Sequence, residues 1–283
     1  MQQGIQLWLR NNGYGEVTRM ETLSGGCINR SSRLHFDQAA PLVLKQNDQA
    51  VAGMFRAEAV GLQALASAQA LRVPAVIHCA NDFILLEDLG QGHAQAPYWQ
   101  DLGTGLATLH RDRKPQFGFS IDNYCGTTPQ LNSATQDGFA FFANCRLLNL
   151  ATQALQRRLL EGADLNCLEN IASRLSNWIP QQPPVLIHGD LWSGNVHCDA
   201  QGNPALIDPA CYWGWAEAEL AMTSLFGGFE PDFYASYAEC SGMDSDWPER
   251  APLYNLYHLL NHLLLFGGSY LGSIRQICRR FAS

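Results

Sequence analysis

The pattern of hydrophobic and polar positions changes near residue 89 of the chain. Before this point, short apolar runs separated by turn residues predict β-strands, with one opening helix over 2–12 and one long helix over about 48–70. The predicted strands cover residues 16–23, 31–36, 42–45, 73–79 and 83–89. Because such a helix-poor segment is followed by a helix-rich one, the pattern indicates an α+β protein rather than an alternating α/β protein.

Beyond residue 89 the apolar residues recur at helical spacing, as they do at Leu102, Leu106 and Leu109. The predicted helices cover residues 99–111, 139–160, 165–178, 216–226, 232–240, 250–266 and 270–281. The stretch 117–132 is broken by glycine and proline and is predicted to be a loop. A polar and aromatic loop of this length more often has a function than serves only as a connection.

A polar turn between two short apolar runs carries the strongest candidate chemistry. The apolar pair 186–187 leads into a turn with Asp190 and Asn195, and the apolar pair 206–207 then delivers Asp208. Protein kinases use this spacing: the first Asp accepts the proton of the attacking hydroxyl, while the Asn and the second Asp hold magnesium. Turn chemistry alone could also select Asp and Asn here. The additional presence of Asp208 and of a suitable lysine favours phosphoryl transfer.

That lysine is Lys45, at the end of the apolar run Leu42-Val43-Leu44. In a kinase-like chain it would contact the α- and β-phosphates of a nucleotide, and Glu58, in the following helix, would pair with it. A lysine at a sheet edge and a glutamate on a solvated helix face are the ordinary alternatives. Gly25 and Gly26 form either a simple hairpin or a flap over the phosphates.

The last predicted strand ends in a polar crossover at Glu87, Asp88 and Leu89, where a kinase-like chain offers main-chain groups to adenine. We therefore predict an N-terminal nucleotide-binding lobe over residues 1–89. Residues 90–283 would then form a C-terminal catalytic and acceptor-binding lobe.

The amino-acid composition indicates which binding partners and which cellular compartment to expect. The 283 residues are 47% hydrophobic and 16% charged, as in a globular protein, and the net charge is −8. Such acidity argues against nucleic-acid and membrane-surface partners. No signal peptide or membrane span is expected. The nine cysteines are scattered without a CxxC pair, which favours reduced thiols in a cytoplasmic protein over disulfides or a zinc site.

The assembled motifs resemble those of the fructosamine (ketosamine) kinase family, a branch of the protein-kinase-like superfamily beside the aminoglycoside phosphotransferases and choline kinases. The resemblance runs from about Trp8 to the C-terminus. It is carried by residues 122–132 (DNYCGTTPQLN), 188–195 (HGDLWSGN), 208–210 (DPA), 225–229 (LFGGF) and 261–268 (NHLLLFGG). Trp215 and Ala216 stand where that family has His-Arg, and Glu219 stands where it has Asp. These departures leave the catalytic carboxylates intact and bear on the identity of the acceptor.

The resemblance implies a two-lobed protein-kinase-like fold, ATP and Mg²⁺ as cofactors, and phosphorylation of a ketosamine at its 3-hydroxyl. The product then breaks down and frees the amine, so the implied role is deglycation of proteins or metabolites. The implied site has Asp190 as the base, Asn195 and Asp208 as metal ligands, and Lys45 on the nucleotide. Further candidate substrate residues are Trp192, as a floor for the sugar or an ordinary packed aromatic, and His262, Glu217 and Glu219.

Two other functions remain open on the sequence. The same fold could phosphorylate an aminoglycoside, choline or another aminoalcohol, and choline would need an aromatic cage. A pseudokinase that binds nucleotide without turnover belongs to a different class, but it would typically have lost one of the four residues Lys45, Asp190, Asn195 and Asp208.

Cys27 adjoins the two glycines of the predicted phosphate flap. Main-chain N–H groups of such a loop would favour its thiolate, which is prone to oxidation. A disulfide between the Cys27 residues of two chains would lock the flap and slow ATP binding. The sequence therefore allows either a monomer or a redox-sensitive homodimer, and ordinary reactivity of Cys27 is the alternative.

Overall fold

The computed structural model of the chain describes residues 3–23 and 28–281. Five antiparallel strands form one sheet in the order β1-β2-β3-β5-β4. Their bounds are β1 Val17–Leu23, β2 Arg30–Phe36, β3 Leu42–Gln46, β4 Val76–Cys79 and β5 Phe83–Glu87. All five overlap segments that were predicted as strands and are bounded by turn residues.

Two helices accompany this sheet, α1 (Gln3–Asn11) and α2 (Met54–Ser67). Helix α2 is shorter than the predicted 48–70. The Asn47 side chain accepts a hydrogen bond from the N–H of Gln49 at 2.9 Å, which holds a turn at that point. Gly53, with φ of 81°, then sets the left-handed residue from which the helix begins. Local side-chain and glycine chemistry therefore overrides the helical pattern upstream of Met54.

The remainder is mostly helical, as predicted, with three short two-stranded ribbons. The helices are α3 Tyr98–Leu109, α4 Gly138–Phe141, α5 Asn149–Gln156, α6 Gly162–Ser173, α7 Ala216–Leu225, α8 Pro231–Ser241, α9 Trp247–Phe266 and α10 Leu271–Phe281. The ribbons pair β6 Asn123–Cys125 with β7 Thr128–Gln130, β8 Val185–Ile187 with β11 Tyr212–Gly214, and β9 Val196–Cys198 with β10 Pro204–Leu206.

Two predictions within this part need correction. The segment 117–132 is not only a loop, because it contains the β6–β7 hairpin. The single helix predicted over 139–160 is divided by a π-helical stretch, Phe142–Leu148. This stretch carries Arg146, whose side chain is fully buried among aromatic rings, with its guanidinium carbon 3.9 Å from the centre of the Tyr212 ring. Widened turns of this kind are often found where a helix serves a functional site.

The buried side chains form three clusters, and one of them continues from the sheet into the helical part. That cluster joins Phe55 and Leu62 of α2 to Leu106 of α3 and to Leu186 and Leu206, next to the polar turn. The sheet, α2 and the strands that carry the candidate catalytic residues therefore pack against one another directly. The predicted division at residue 89 stays a prediction.

Among the described residues, no helix combines the length and the apolar character that a membrane span requires. The eight cysteines in the described segments are free thiols. The predicted cytoplasmic location stays a prediction.

Candidate active site

A cavity of about 440 Å³ lies where the sheet and α2 face the helical part of the chain. Candidate residues from both parts of the sequence line it, including Lys45, Glu58, Asp190, Asn195 and Asp208. These residues are separated by up to 163 positions along the chain. The structure thus brings these five residues together at one cavity.

The polar turn follows the buried strand β8, and residues around Asp208 pack against it. Gly189 adopts a φ of 82°, and a Cβ there would lie 2.2 Å from the carbonyl oxygen of Ala210, so only glycine fits. The ring of His188 donates from Nε2 to the carbonyl oxygen of Ile207 at 2.8 Å, and its Nδ1 accepts from the N–H of Asp190 at 3.3 Å. Burial lowers the pKa of His188, which keeps this neutral form. His188 therefore ties the turn of Asp190 to the strand end of Asp208.

The carboxylate of Asp190 lines the cavity and is oriented by Asn195. The Nδ2 group of Asn195 donates to the main-chain carbonyl of Asp190 at 2.8 Å and to its Oδ2 at 3.2 Å. Burial raises the pKa of Asp190 to about 7. A carboxylate with this pKa, fixed at the wall of a cavity, is suited to accept a proton near neutral pH.

Asp208 has a φ of 56°, a left-handed conformation that is uncommon for a residue other than glycine. It is one of the strained positions that cluster at functional sites. Its Oδ1 lies 2.7 Å from Nζ of Lys45, and the same Nζ lies 2.6 Å from Oε1 of Glu58. Burial alone would lower the pKa of Lys45, but the carboxylates of Asp208 and Glu58 outweigh this effect and raise it. Lys45 is therefore a fixed positive charge in the cavity.

The donor atoms available for a metal are oxygens. The amide nitrogen of Asn195 is used by Asp190, which leaves the Asn195 Oδ1 oxygen as its ligand atom. The Asp208 side chain is 38% exposed, so it is open to the cavity although Oδ1 contacts Lys45. A carboxylate and an amide oxygen fit a hard cation such as Mg²⁺.

Two predicted substrate residues do not lie in the cavity, and this corrects the sequence interpretation. Glu217 is 2% exposed and accepts hydrogen bonds from Arg250 at 2.7 and 2.8 Å and from the hydroxyl of Tyr254 at 2.9 Å. Glu219 is 1% exposed and accepts from the N–H groups of His188 and Gly189, the latter at 3.0 Å. Both carboxylates are occupied by the protein itself. Glu219 anchors the turn of Asp190 instead of contacting a substrate.

Replacing Glu219 with glutamine should lower the free energy of unfolding by about 1–3 kcal/mol, because a side-chain NH₂ would then face a buried main-chain N–H. Urea denaturation of the parent and of Glu219→Gln measures this difference. Glu169→Gln, on an exposed face of α6, is the matched control and should leave stability within about 0.5 kcal/mol. Equal stability of the parent and Glu219→Gln would show that these hydrogen bonds contribute nothing.

The departures from the family pattern at 215–219 also lie away from the cavity. Trp215 is 3% exposed and packs edge-on against Phe117 and Tyr254. It therefore packs in the helical core and does not line the cavity.

The residues of the predicted crossover, Glu87, Asp88 and Leu89, each contact another part of the chain. Glu87 pairs with Arg72, and Asp88 pairs with Arg33 at 2.6 Å. Leu89 is buried, and its carbonyl accepts from the N–H of Ala200 at 2.9 Å. Main-chain contact of this segment with adenine stays a prediction. Gly25, Gly26 and Cys27 lie outside the described residues, so their predicted roles also stay predictions.

An aromatic wall forms the side of the cavity opposite the sheet. Trp192 and His262, both predicted, lie in this wall, and the structure adds Phe226, Phe266 and Tyr270. The rings of Phe226 and His262 are 4.8 Å apart, and burial lowers the pKa of His262 to about 4. The wall is therefore uncharged at neutral pH. Phe226 and Phe266 were not predicted as site residues, although both adjoin glycine-rich motifs that were noted.

A buried polar network supports the β6–β7 hairpin and was missed by the sequence interpretation. Asn123 donates to the carbonyl of Cys211 at 2.8 Å, and Gln130 donates to the carbonyl of Ala210 at 3.0 Å. Arg146 donates to Oδ1 of Asn132 at 2.7 Å. The network fixes the hairpin against the strand end that carries Asp208. Arg146, the one charged residue of the stretch 139–156, was the signal that could have indicated it.

Known proteins resemble this chain in both sequence and fold. A probable ketoamine kinase of Synechocystis is 38% identical, with 93% of this chain and 90% of the relative covered. The chloroplastic protein-ribulosamine 3-kinase of Oryza sativa subsp. japonica is 35% identical over 96% of this chain and 82% of its own. The crystal structure of a "putative fructosamine-3-kinase" from Thermobifida fusca is 29% identical, covers 97% of each chain and has a TM-score of 0.88.

The fold is shared more widely than the sequence. The crystal structure of an aminoglycoside phosphotransferase covers 97% of each chain with a TM-score of 0.65 at 17% identity, which confirms the predicted two-lobed protein-kinase-like fold. A family model described as fructosamine kinase matches residues 1–283. The chain therefore belongs to the fructosamine kinase family.

Proposed function

We propose that this protein is an ATP-dependent kinase that transfers the γ-phosphoryl group to the 3-hydroxyl of a ketosamine, and that it serves deglycation. The observation that carries the proposal is the single cavity that contains the Lys45–Glu58 and Lys45–Asp208 ion pairs together with the Asp190–Asn195 pair. The names of the relatives, ketoamine kinase and ribulosamine 3-kinase, support the acceptor class.

The residues divide the chemistry between them. Asp190 orients the acceptor hydroxyl and takes its proton, and the hydroxyl oxygen then bonds to the γ-phosphorus as the bond to the β–γ bridging oxygen breaks. Lys45, positioned by Glu58, binds the α- and β-phosphates. Asn195 and Asp208 would hold Mg²⁺, which when bound neutralises the phosphate charge. Such catalysis depends on positioning and electrostatics, so no covalent protein intermediate is needed.

The cavity wall favours a sugar-like acceptor over a polycationic one. Among the described residues that line the cavity, the acidic ones are Glu58, Asp190 and Asp208, and each already has a role in the proposed phosphoryl transfer. A polycationic aminoglycoside would require further carboxylates. The flat faces of Trp192 and Phe226 suit the apolar face of a sugar ring.

A coupled assay of ADP release with a panel of acceptors tests the proposal. The panel contains a ketosamine formed from ribose (a ribulosamine), one formed from glucose (a fructosamine), the two parent sugars, an aminoglycoside, choline and a control without acceptor. ADP release that depends on a ketosamine is expected. Release with the aminoglycoside or choline alone would establish a different phosphotransferase, and nucleotide binding without any turnover would establish a pseudokinase.

The pH dependence follows from the raised pKa of Asp190, which burial brings to about 7. The base must be unprotonated, so kcat/KM for the acceptor should be constant above this pH and fall by about tenfold per pH unit below it. A pH profile at saturating nucleotide measures this limb. A limb centred near pH 4, in the ordinary range of an aspartate, would show that the pKa of Asp190 is not raised in the complex with nucleotide.

A further inference from the structure

Three potential metal ligands of different chemistry converge at the floor of the cavity. Sγ of Cys125, a carboxylate oxygen of Asp190 and a ring nitrogen of His258 all lie within 4.8 Å of one another. Cys125 comes from β6, Asp190 from the polar turn and His258 from α9. Cys125 and Asp190 line the cavity, so a small ion in solution has a path to the group.

The His258 ring provides an independent sign that this group accepts a ligand. His258 is 4% exposed, and its Nδ1 has no hydrogen-bond partner among the described residues. Nδ1 lies 3.9 Å from Oδ1 of Asp190, which is beyond hydrogen-bond distance. A buried polar atom without a partner is destabilising unless a further group satisfies it. An ion between His258 and Asp190 would do so.

The donor set selects the class of ion. A thiolate, an imidazole nitrogen and a carboxylate oxygen are the ligands of Zn²⁺, whereas Mg²⁺ prefers oxygen ligands only. Ligand atoms about 2.0–2.3 Å from a tetrahedral zinc lie roughly 3.3–3.7 Å from one another. The observed separations of 3.9 to 4.8 Å thus require the side chains to move inward by about 1 Å at most.

We propose that Cys125, Asp190 and His258 form a Zn²⁺ site, and that occupation of this site inhibits the kinase. Binding replaces the thiol proton, which is released to solvent, by a Zn–S bond. Oδ1 of Asp190 becomes a zinc ligand and no longer accepts a proton from the acceptor, while Oδ2 keeps its contact with Asn195. Water from the cavity would complete the coordination of the ion. The inhibition rests on the proposed function, but the binding of the metal does not.

The sequence interpretation favoured reduced thiols over a zinc site because the cysteines are scattered without a CxxC pair. The three ligands are separated by 65 and 68 positions, and only one of them is a cysteine. The site is produced entirely by the packing of the hairpin and α9 around the turn of Asp190.

Direct metal binding is tested with Co²⁺ as a spectroscopic substitute for zinc, in excess Mg²⁺ so that oxygen-only sites are filled. The parent should bind one Co²⁺ with a Co–thiolate charge-transfer band, and one equivalent of Zn²⁺ should remove that band. The band should be absent in Cys125→Ser and retained in Cys211→Ser, a matched control at another fully buried cysteine. His258→Gln should weaken binding by at least about 100-fold, since even outer-shell changes weaken metal binding by roughly 10- to 100-fold.

X-ray absorption at the zinc edge needs only the parent protein, so it tests the proposal even if a variant fails to fold. The spectrum should show one sulfur ligand together with nitrogen and oxygen ligands. A band that persists in Cys125→Ser, or a zinc without a sulfur ligand, overturns the proposal.

The activity measurement compares ADP release with and without Zn²⁺, each variant being normalised to its own zinc-free rate. Zinc should inhibit the parent and Cys211→Ser, and Cys125→Ser should be resistant. Equal inhibition of all three would place the effect at another site and overturn the inhibitory role. A protein that binds Co²⁺ as described but phosphorylates no ketosamine would contradict the proposed function and leave the metal site established.

Discussion

Replacing Asp190 with alanine is expected to lower kcat by about two to four orders of magnitude, the range for a lost general base. Asp190 lines the cavity, its carboxylate is oriented by Asn195, and burial raises its pKa to about 7. The side chain makes no contact with the Lys45 ion pairs in the described contacts, so nucleotide affinity should persist. ADP release measures the first effect, and calorimetric titration with ATP measures the second.

Two further variants sharpen this prediction. Asp190→Asn keeps the shape of the side chain and removes only its basicity, so it should lose nearly as much activity as Asp190→Ala. Asp101→Ala, at an exposed position of α3, controls for the general loss of an acidic residue. Near-parental turnover of Asp190→Asn would show that Asp190 is not the base.

Replacing Asp208 with asparagine is expected to lower kcat/KM for ATP by about 10²- to 10³-fold, the range for one lost electrostatic contact to the reacting group. It should also raise the Mg²⁺ concentration needed for half-maximal activity. Asn is preferred over Ala here because it tolerates the left-handed conformation, with φ of 56°, that Asp208 adopts. The Lys45–Glu58 pair remains in this variant, so the fold should be retained.

Titration of activity with Mg²⁺ at fixed ATP measures this change, and thermal unfolding confirms that the variant is folded. Asp101→Asn provides the same chemical change at an exposed site. Superimposable Mg²⁺ titrations of the parent and Asp208→Asn would show that Asp208 has a structural role only.

Much of the site could be predicted from sequence because its residues are set by local rules. Asp190 and Asn195 lie five positions apart in one turn, and Lys45 and Asp208 each follow a short apolar run. A short strand fixes where the next polar side chain points, so the spacing within each segment indicates the role of its polar residue. The pairing of Lys45 with Glu58 was predicted in the same way and is observed at 2.6 Å.

The errors in the prediction arose where burial decided the role of a polar residue. Glu217 and Glu219 follow the catalytic segment closely, and proximity in sequence suggested contact with the acceptor. In the structure their helix, α7, turns both carboxylates into the protein, where they bind Arg250 and the N–H groups of the catalytic turn. A pattern of residue types does not reveal which acidic side chain faces a cavity and which faces a buried donor.

The sequence by itself determined the five strands of the sheet, most of the helices, the polar turn and the family of the protein, because periodicity, turn residues and short motifs are local properties. Only the tertiary structure decided which distant groups meet. It buried Arg146 against the hairpin, and it placed Cys125 and His258 beside Asp190. Such contacts depend on how α9 and the β6–β7 hairpin pack in three dimensions, and no spacing along the chain encodes that packing.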